Sequence, residues 1–216
     1  MRLPKGFWIT LPLSALIAGL GGILFLKVNS ERRPGEFPSR HPVSEDLRKK
    51  ESAKLMQVAP EISGTDAFGD KIQLTEFRNG KPAVVLFILH DCPCSIEAQE
   101  TFNTLYITNQ RYVTFVGVVK GTQKEARRFF NETSCAFPVV ADETGAWAKA
   151  YGVKRSVYNA LITPDGKIAK IFPGYSKTVA NQIGEWCAKY ATERVAPMTF
   201  DSAPKIETAG CEFFPE

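Results

Sequence analysis

The run Ala83-Val84-Val85-Leu86-Phe87-Ile88-Leu89 is apolar throughout and rich in branched side chains, and after His90-Asp91 it meets Cys92-Pro93-Cys94-Ser95. Continuous apolarity over a strand's length fits a central strand covered on both faces, not the alternation of a half-exposed one. The period then changes. Ala98, Phe102, Leu105 and Tyr106 fall on one helical face, and Pro93 suits the first helical position, where its missing N–H costs little. Cys92 therefore reads as the N-cap. A helix N-terminus presents unpaired N–H groups and the positive end of the macrodipole, so a thiolate there is favoured over the thiol. A buried strand handing over to a helix through a thiol points to an α/β architecture, and such a junction is where thiol chemistry is usually built.

Cys94 follows two residues later, and side chains two apart on a helix point about 200° away from each other. A Cys92–Cys94 bond then needs a distorted first turn and would be strained and easily reduced. Ser95 stands three residues after Cys92, where its hydroxyl could donate to a thiolate but cannot resolve a mixed disulfide. Asp91 opposes thiolate formation. Two other readings of the motif stand beside the reactive one. The thiols could pack as small buried hydrophobes, or, with His90, hold a soft ion such as Cu(I). Against the metal, the chain has only His41 and His90 and no second cysteine-rich group to complete a tetrahedral set.

With 216 residues, 44% hydrophobic and 23% charged, there is material for one ordinary domain plus appendages. A net charge of +4 without a basic run interleaved with aromatics gives nucleic-acid binding no support. Phe7 to Leu26 is uncharged and long enough to cross a bilayer as a helix. It is long for a cleaved signal, and no small-x-small pattern follows it in Leu26-Lys27-Val28-Asn29-Ser30. Residues 1–28 are thus expected to be an uncleaved single-pass anchor, with the body of the chain extracytoplasmic. Residues 29–57, with Pro34, Pro38 and Pro42, read as a linker containing a short helix near Asp46 to Met56. Residues 191–216 read as an extended tail, which leaves 58–190 as the domain.

Within the domain, Gly64 to Thr75 reads as a hairpin with Gly69-Asp70 at the turn. Tyr112 to Val119 is a second buried strand, Gln123 to Asn131 a helix, Phe137 to Val140 a short strand, and Ala146 to Tyr151 a brief helix. Asn159 to Ile162 and Lys167 to Phe172 flank the turn Thr163-Pro164-Asp165-Gly166. A last helix covers about Lys177 to Tyr190. Strands alternating with helices give a parallel centre, and the closing hairpin adds antiparallel strands, so the sheet should be mixed.

This topology, with cysteine after the first long strand, resembles the thioredoxin-like fold: a mixed central sheet flanked by helices. Ala59-Pro60-Glu61-Ile62, Leu74 to Pro82, the cysteine run, Phe137 to Asp142, Tyr151-Gly152-Val153 and Thr163 to Ile168 resemble the redoxin branch. That branch is the alkyl hydroperoxide reductase and thiol-specific antioxidant family with its thiol-disulfide oxidoreductase relatives. The resemblance implies a cysteine nucleophile, a peroxide or protein disulfide as substrate, a separate thiol electron donor and no bound cofactor. The chain departs from the family in two respects. Val85 and Leu89 stand where peroxiredoxins carry a proline and a threonine. Ser95 replaces the second cysteine of a Cys-x-x-Cys pair, and Ser156-Val157-Tyr158 lacks the facing proline.

Cys135 is expected at the amino end of a parallel strand, remote from Cys92 and structural. Cys187 shares a helical face with Val179, Ile183, Trp186 and Tyr190 and reads as core. Cys211 differs, because it lies in the tail ahead of Phe213 and Phe214, two side chains that could dock on the domain. A tail of roughly twenty residues can reach across a small domain. Catalytic candidates are therefore Cys92 as nucleophile with Cys94 or Cys211 as resolving thiol, the alternative for Cys211 being an unused cysteine in a disordered tail. Lys120, at the carboxyl end of the second strand, reads first as a solvated lysine before a Gly-Thr turn and second as a group that helps stabilise the thiolate. The sequence reading is a membrane-anchored thiol oxidoreductase; its alternatives are a Cu(I) carrier and a non-catalytic binding module.

Overall fold

The structure is a computed structural model that describes residues 41–215. The expected anchor lies outside the described residues, among which no helix is long and apolar enough to cross a membrane. A short helix α1 (Glu45–Ser52), capped by the Ser44 hydroxyl, leads in. Strands β1 (Ser63–Thr65) and β2 (Lys71–Gln73) form the small hairpin, and helix α2 (Leu74–Arg78) follows directly. This helix is absent from the sequence reading, which carried the alternation through Leu74. Leu74 instead starts the helix, and Asn79 ends it in the left-handed region at φ 45°.

Strand β3 (Ala83–Leu89) runs into helix α3 (Pro93–Asn109), then β4 (Thr114–Lys120), helix α4 (Gln123–Glu132) and β5 (Val139–Ala141). Helix α5 (Ala146–Ala150), the hairpin of β6 (Tyr158–Ile162) and β7 (Ile168–Phe172), and helix α6 (Lys177–Ala188) complete the element order. The five-stranded sheet has the order β5-β4-β3-β6-β7. β3 is parallel to β4, and β4 to β5, while β6 is antiparallel to both β3 and β7. The expected mixed sheet is present because each βαβ crossover returns a strand parallel, whereas the tight Thr163–Gly166 turn reverses it.

β3 has neighbours on both sides and is covered on both faces, which is why its sequence does not alternate. Val84, Leu86 and Ile88 face a core that includes α3, α4 and α6. Ala83, Val85 and Phe87 face a second core with Tyr151, Tyr158 and Phe213. Phe87 is fully buried between Tyr151 and Tyr158, with ring centroids 5.0 and 5.9 Å away. Phe87→Ala should therefore cost about 3–5 kcal/mol in denaturant unfolding. The same truncation of the surface residue Phe77 should lie near zero.

Residues 191–215 contain no helix or strand, yet they bury Phe200, Ala203, Ala209 and Phe213 against the domain. Helix α1 is fixed from the other end of the chain. The Glu51 carboxylate, 4% exposed, accepts hydrogen bonds from the Tyr158 hydroxyl and the Lys54 ammonium.

Candidate active site

β3 delivers the chain to its carboxyl end, where residues 89–95 turn tightly into α3. The Cys92 N–H donates to the Leu89 carbonyl at 3.2 Å. The Leu89 N–H donates to the Ser95 hydroxyl oxygen at 3.3 Å. That hydroxyl accepts from the backbone of β3, and the groups that donate to the Cys92 sulfur do not include it. Cys92 is the N-cap, with extended dihedrals (φ −78°, ψ 120°), and Pro93 opens the helix. Because an N-cap residue lies outside the helical path, the 200° divergence of helical neighbours does not apply, and the Cys94 thiol reaches back to the Cys92 sulfur.

Three further donors converge on that sulfur. The Ser156 hydroxyl and the Cys211 backbone N–H each lie 3.2 Å away, and the Cys211 thiol also hydrogen-bonds to it. Cys92 is 1% exposed, so burial disfavours its charge. The donors overcome that penalty and hold its pKa down to about 3, the Cys94 thiol contributing most, followed by the Cys211 thiol, the Ser156 hydroxyl and the Cys211 amide. Cys211 moves the other way, to about 11, through burial, its hydrogen bond to Cys92, the adjacent thiolate charge and Asp91, with Arg155 opposing. None of the five cysteines is joined in a disulfide.

Cys211 arrives on a docked tail. The Gly210 N–H donates to the Ser156 carbonyl and the Ser156 N–H to the Cys211 carbonyl, each at 2.9 Å, and the Phe213 N–H reaches the Lys154 carbonyl at 2.9 Å. Gly210 allows the approach: a Cβ there would overlap the Ser156 hydroxyl and stand 3.1 Å from the Cys92 sulfur. Beyond the thiol, Arg155 pairs with Glu212 at 2.6 Å and Phe213 is fully buried. Lys120 serves this tail as well. Its ammonium donates to the Phe213 carbonyl and lies 4.6 Å from the Phe214 ring centroid, so it holds the segment that carries Cys211 instead of standing as a donor to the thiolate.

Ser156 was missed at the sequence level, where the stretch was noticed only for its lack of proline. A lone serine before an apolar strand carries no signal of its own. Val157 explains its placement: the residue is β-branched yet lies at φ 61°, a strained conformation, and its N–H is pinned to the Phe87 carbonyl at 2.9 Å. The remaining cysteines are elsewhere. Cys135 accepts from Gln99 at 3.2 Å and donates to the Phe137 carbonyl at 3.3 Å, and burial pushes its thiol up to about 12. Cys187 is fully buried in α6 and likewise raised to about 12. His90 faces Glu125 at 3.7 Å, and among the described residues no group of three or more His, Cys, Asp and Glu side chains is arranged to hold a metal.

A mixed βαβ sheet whose central strand ends at a buried cysteine on a helix N-terminus defines a thioredoxin-like, thiol-dependent oxidoreductase. The chain belongs to the AhpC/TSA family, whose sequence pattern it matches over residues 55–171. It is 29% identical over 144 residues to the thiol-disulfide oxidoreductase ResA of Bacillus thuringiensis subsp. konkukian, covering 65% of this chain and 81% of that protein. Among solved structures, an uncharacterized conserved protein of Geobacillus kaustophilus superposes with a TM-score of 0.61 at 19% identity, over 75% of this chain and 92% of the other. The peroxidoxin BcpB of Mycobacterium tuberculosis superposes with a TM-score of 0.55 at 16% identity, over 64% and 99%. These structural likenesses carry the fold.

Proposed function

We propose that the protein reduces disulfides with Cys92 as nucleophile and Cys211 or Cys94 as resolving thiol. The observation that carries this reading is the convergence on the Cys92 sulfur of the Cys94 and Cys211 thiols, the Ser156 hydroxyl and the Cys211 amide, a set that lowers its pKa. The Cys92 thiolate attacks one sulfur of a substrate disulfide, forming a mixed disulfide and expelling the other sulfur as thiolate. The neighbouring thiol then attacks Cys92 and passes its proton to the departing substrate thiolate. An internal disulfide remains, the substrate has gained two electrons, and an external dithiol donor resets the protein by exchange. Cys92 is almost wholly covered, which favours a second reading with a small peroxide as oxidant. There the thiolate becomes a sulfenic acid and the peroxide leaves as an alcohol or water. A neighbouring thiol then condenses with the sulfenic acid, releasing water.

Supporting a membrane location is the uncharged Phe7 to Leu26 run, read as a single-pass anchor that holds the domain on the extracytoplasmic side. The test is thiol trapping with mass spectrometry on the reduced full-length chain, exposed separately to a disulfide-bonded protein such as insulin and to hydrogen peroxide. Conversion to a Cys92 disulfide by the protein substrate is expected; conversion by peroxide alone would select the second reading, and inertness to both would remove the enzyme assignment from Cys92. In the same preparation the chain should stay with membranes through a carbonate wash and leave with detergent.

A further inference from the structure

The tail that carries Cys211 is paired along much of its length. Thr208 exchanges both backbone hydrogen bonds with Tyr175, at 2.9 and 3.0 Å, and Gly210 and Phe213 pair with Ser156 and Lys154. On its other flank lies chain from the opposite terminus. The Val43 N–H donates to the Glu207 carbonyl at 3.0 Å, and the Ala209 N–H donates to the His41 carbonyl at 2.9 Å. Pro42 and Thr208 form the bridge between them. Arg48, one turn into α1, adds a side-chain clamp, donating from Nε at 3.0 Å and Nη2 at 2.7 Å to one carboxylate oxygen of Glu207. The Glu207 carboxylate is 10% exposed, while the Arg48 guanidinium that closes over it is 44% exposed, so the pair is half-buried.

The flank is itself fixed, because α1 is tied to the sheet through the Glu51, Lys54 and Tyr158 network. From Ala209, bonded to His41, to Cys211 is two residues, about 7 Å of extended chain. In such a chain a slip of one residue turns every side chain to the opposite face. The pairing at 207–209 therefore acts together with the Gly210–Ser156, Ser156–Cys211 and Phe213–Lys154 bonds on the inner flank in setting which way the Cys211 sulfur faces.

We propose that His41–Arg48 is a positioning element of the thiol site, an outer bridge and clamp that helps fix the register in which Cys211 meets Cys92. This rests on the reading of Cys211 as a resolving thiol and adds to it a coupling between the linker and the chemistry. When the clamp is in place, resolution is directed to Cys211. When it is released, the tail loses its outer partner and Cys94, carried by α3, becomes the resolving thiol. No atom of the clamp touches the reacting sulfurs, so its effect is on which disulfide forms.

The experiment uses the full-length chain, oxidised by one equivalent of a small disulfide, with the Cys92–Cys211 and Cys92–Cys94 products quantified by peptide mass spectrometry. Two variants loosen the clamp: Arg48→Ala, and Val43→Pro, which deletes the N–H given to Glu207. Each should lower the ratio of Cys211 to Cys94 product by roughly threefold or more and speed alkylation of Cys92 in the reduced protein by a similar factor. Arg48→Lys should restore the ratio, since both guanidinium donors converge on a single oxygen that one ammonium can serve. A ratio unchanged in both loosening variants, with the thermal midpoint retained, overturns the proposal while leaving the Cys211 assignment intact. Absence of any Cys92–Cys211 product from the wild-type chain overturns the assignment and the proposal together.

Discussion

Cys92→Ser should abolish disulfide exchange, lowering turnover by ~10³-fold or more, because it removes the thiolate that starts the exchange. The wild-type thiolate should be visible by its ultraviolet absorbance and should disappear only as pH falls through about 3. Cys135 and Cys187, both raised to about 12, should contribute nothing below the alkaline range. The sign of the linkage follows. The folded-state pKa lies below the ordinary 9.0, so between about 3 and 9.0 the unfolded chain binds a proton at Cys92 that the folded chain does not. The stabilisation from this group is complete above pH 9.0 and declines as pH falls, by about 1.4 kcal/mol per pH unit, until Cys92 is protonated. Denaturant unfolding at about pH 5 and about pH 8 should show this slope in the wild type and its loss in Cys92→Ser. Equal slopes in the two proteins, or a thiolate that titrates near 9, would refute the assignment.

Gly210→Ala should expel the tail from the site. The added methyl would occupy the space of the Ser156 hydroxyl and crowd the Cys92 sulfur, and both side chains are buried, with little room to yield. Losing the tail removes the Cys211 amide and thiol from Cys92, two of the donors that hold its pKa down. The thiolate titration should therefore move up toward the ordinary thiol range. The Cys92–Cys211 disulfide should form about 10²-fold more slowly, since misplacement by an ångström is enough for an effect of that size. Cys92, freed of its cover, should meanwhile alkylate faster. Wild-type rates for both reactions would mean that the docked tail is not part of the working site. The opposite movement of resolution and alkylation separates this outcome from simple unfolding, in which Cys135 and Cys187 would also become reactive.

Much of the central domain is legible because its signals are local. The β3 run is apolar without alternation since it is covered on both faces, and the change of period after it, with Pro93, marks where α3 starts. The Thr163–Gly166 turn announces the antiparallel pair β6 and β7. The short helix α2 was not legible, because its five residues follow a strand pattern without a side-chain cap. At the site, the cysteine run points to Cys92 at the N-cap, and Phe213 and Phe214 mark the tail as able to dock. The role of Ser156 had no such mark. Lys120 was placed correctly at the end of β4, but neither of its two readings, thiolate partner or solvated lysine, includes its contact with a carbonyl from a segment 93 residues away.

Sequence alone determined what depends on neighbours along the chain: the buried strand, the capped helix, the turn types, and a thiol at the positive end of a helix dipole. Periodicity and capping are short-range properties, so a reader of residues can recover them. Tertiary structure decided which groups surround that thiol. Ser156 comes from the strained turn before β6, Cys211 from the tail, and His41–Arg48 from the far end of the described chain. A sulfur's proton affinity is set by the donors within hydrogen-bond reach and by how far water is excluded, and the fold brings those together across 64 and 119 residues of sequence.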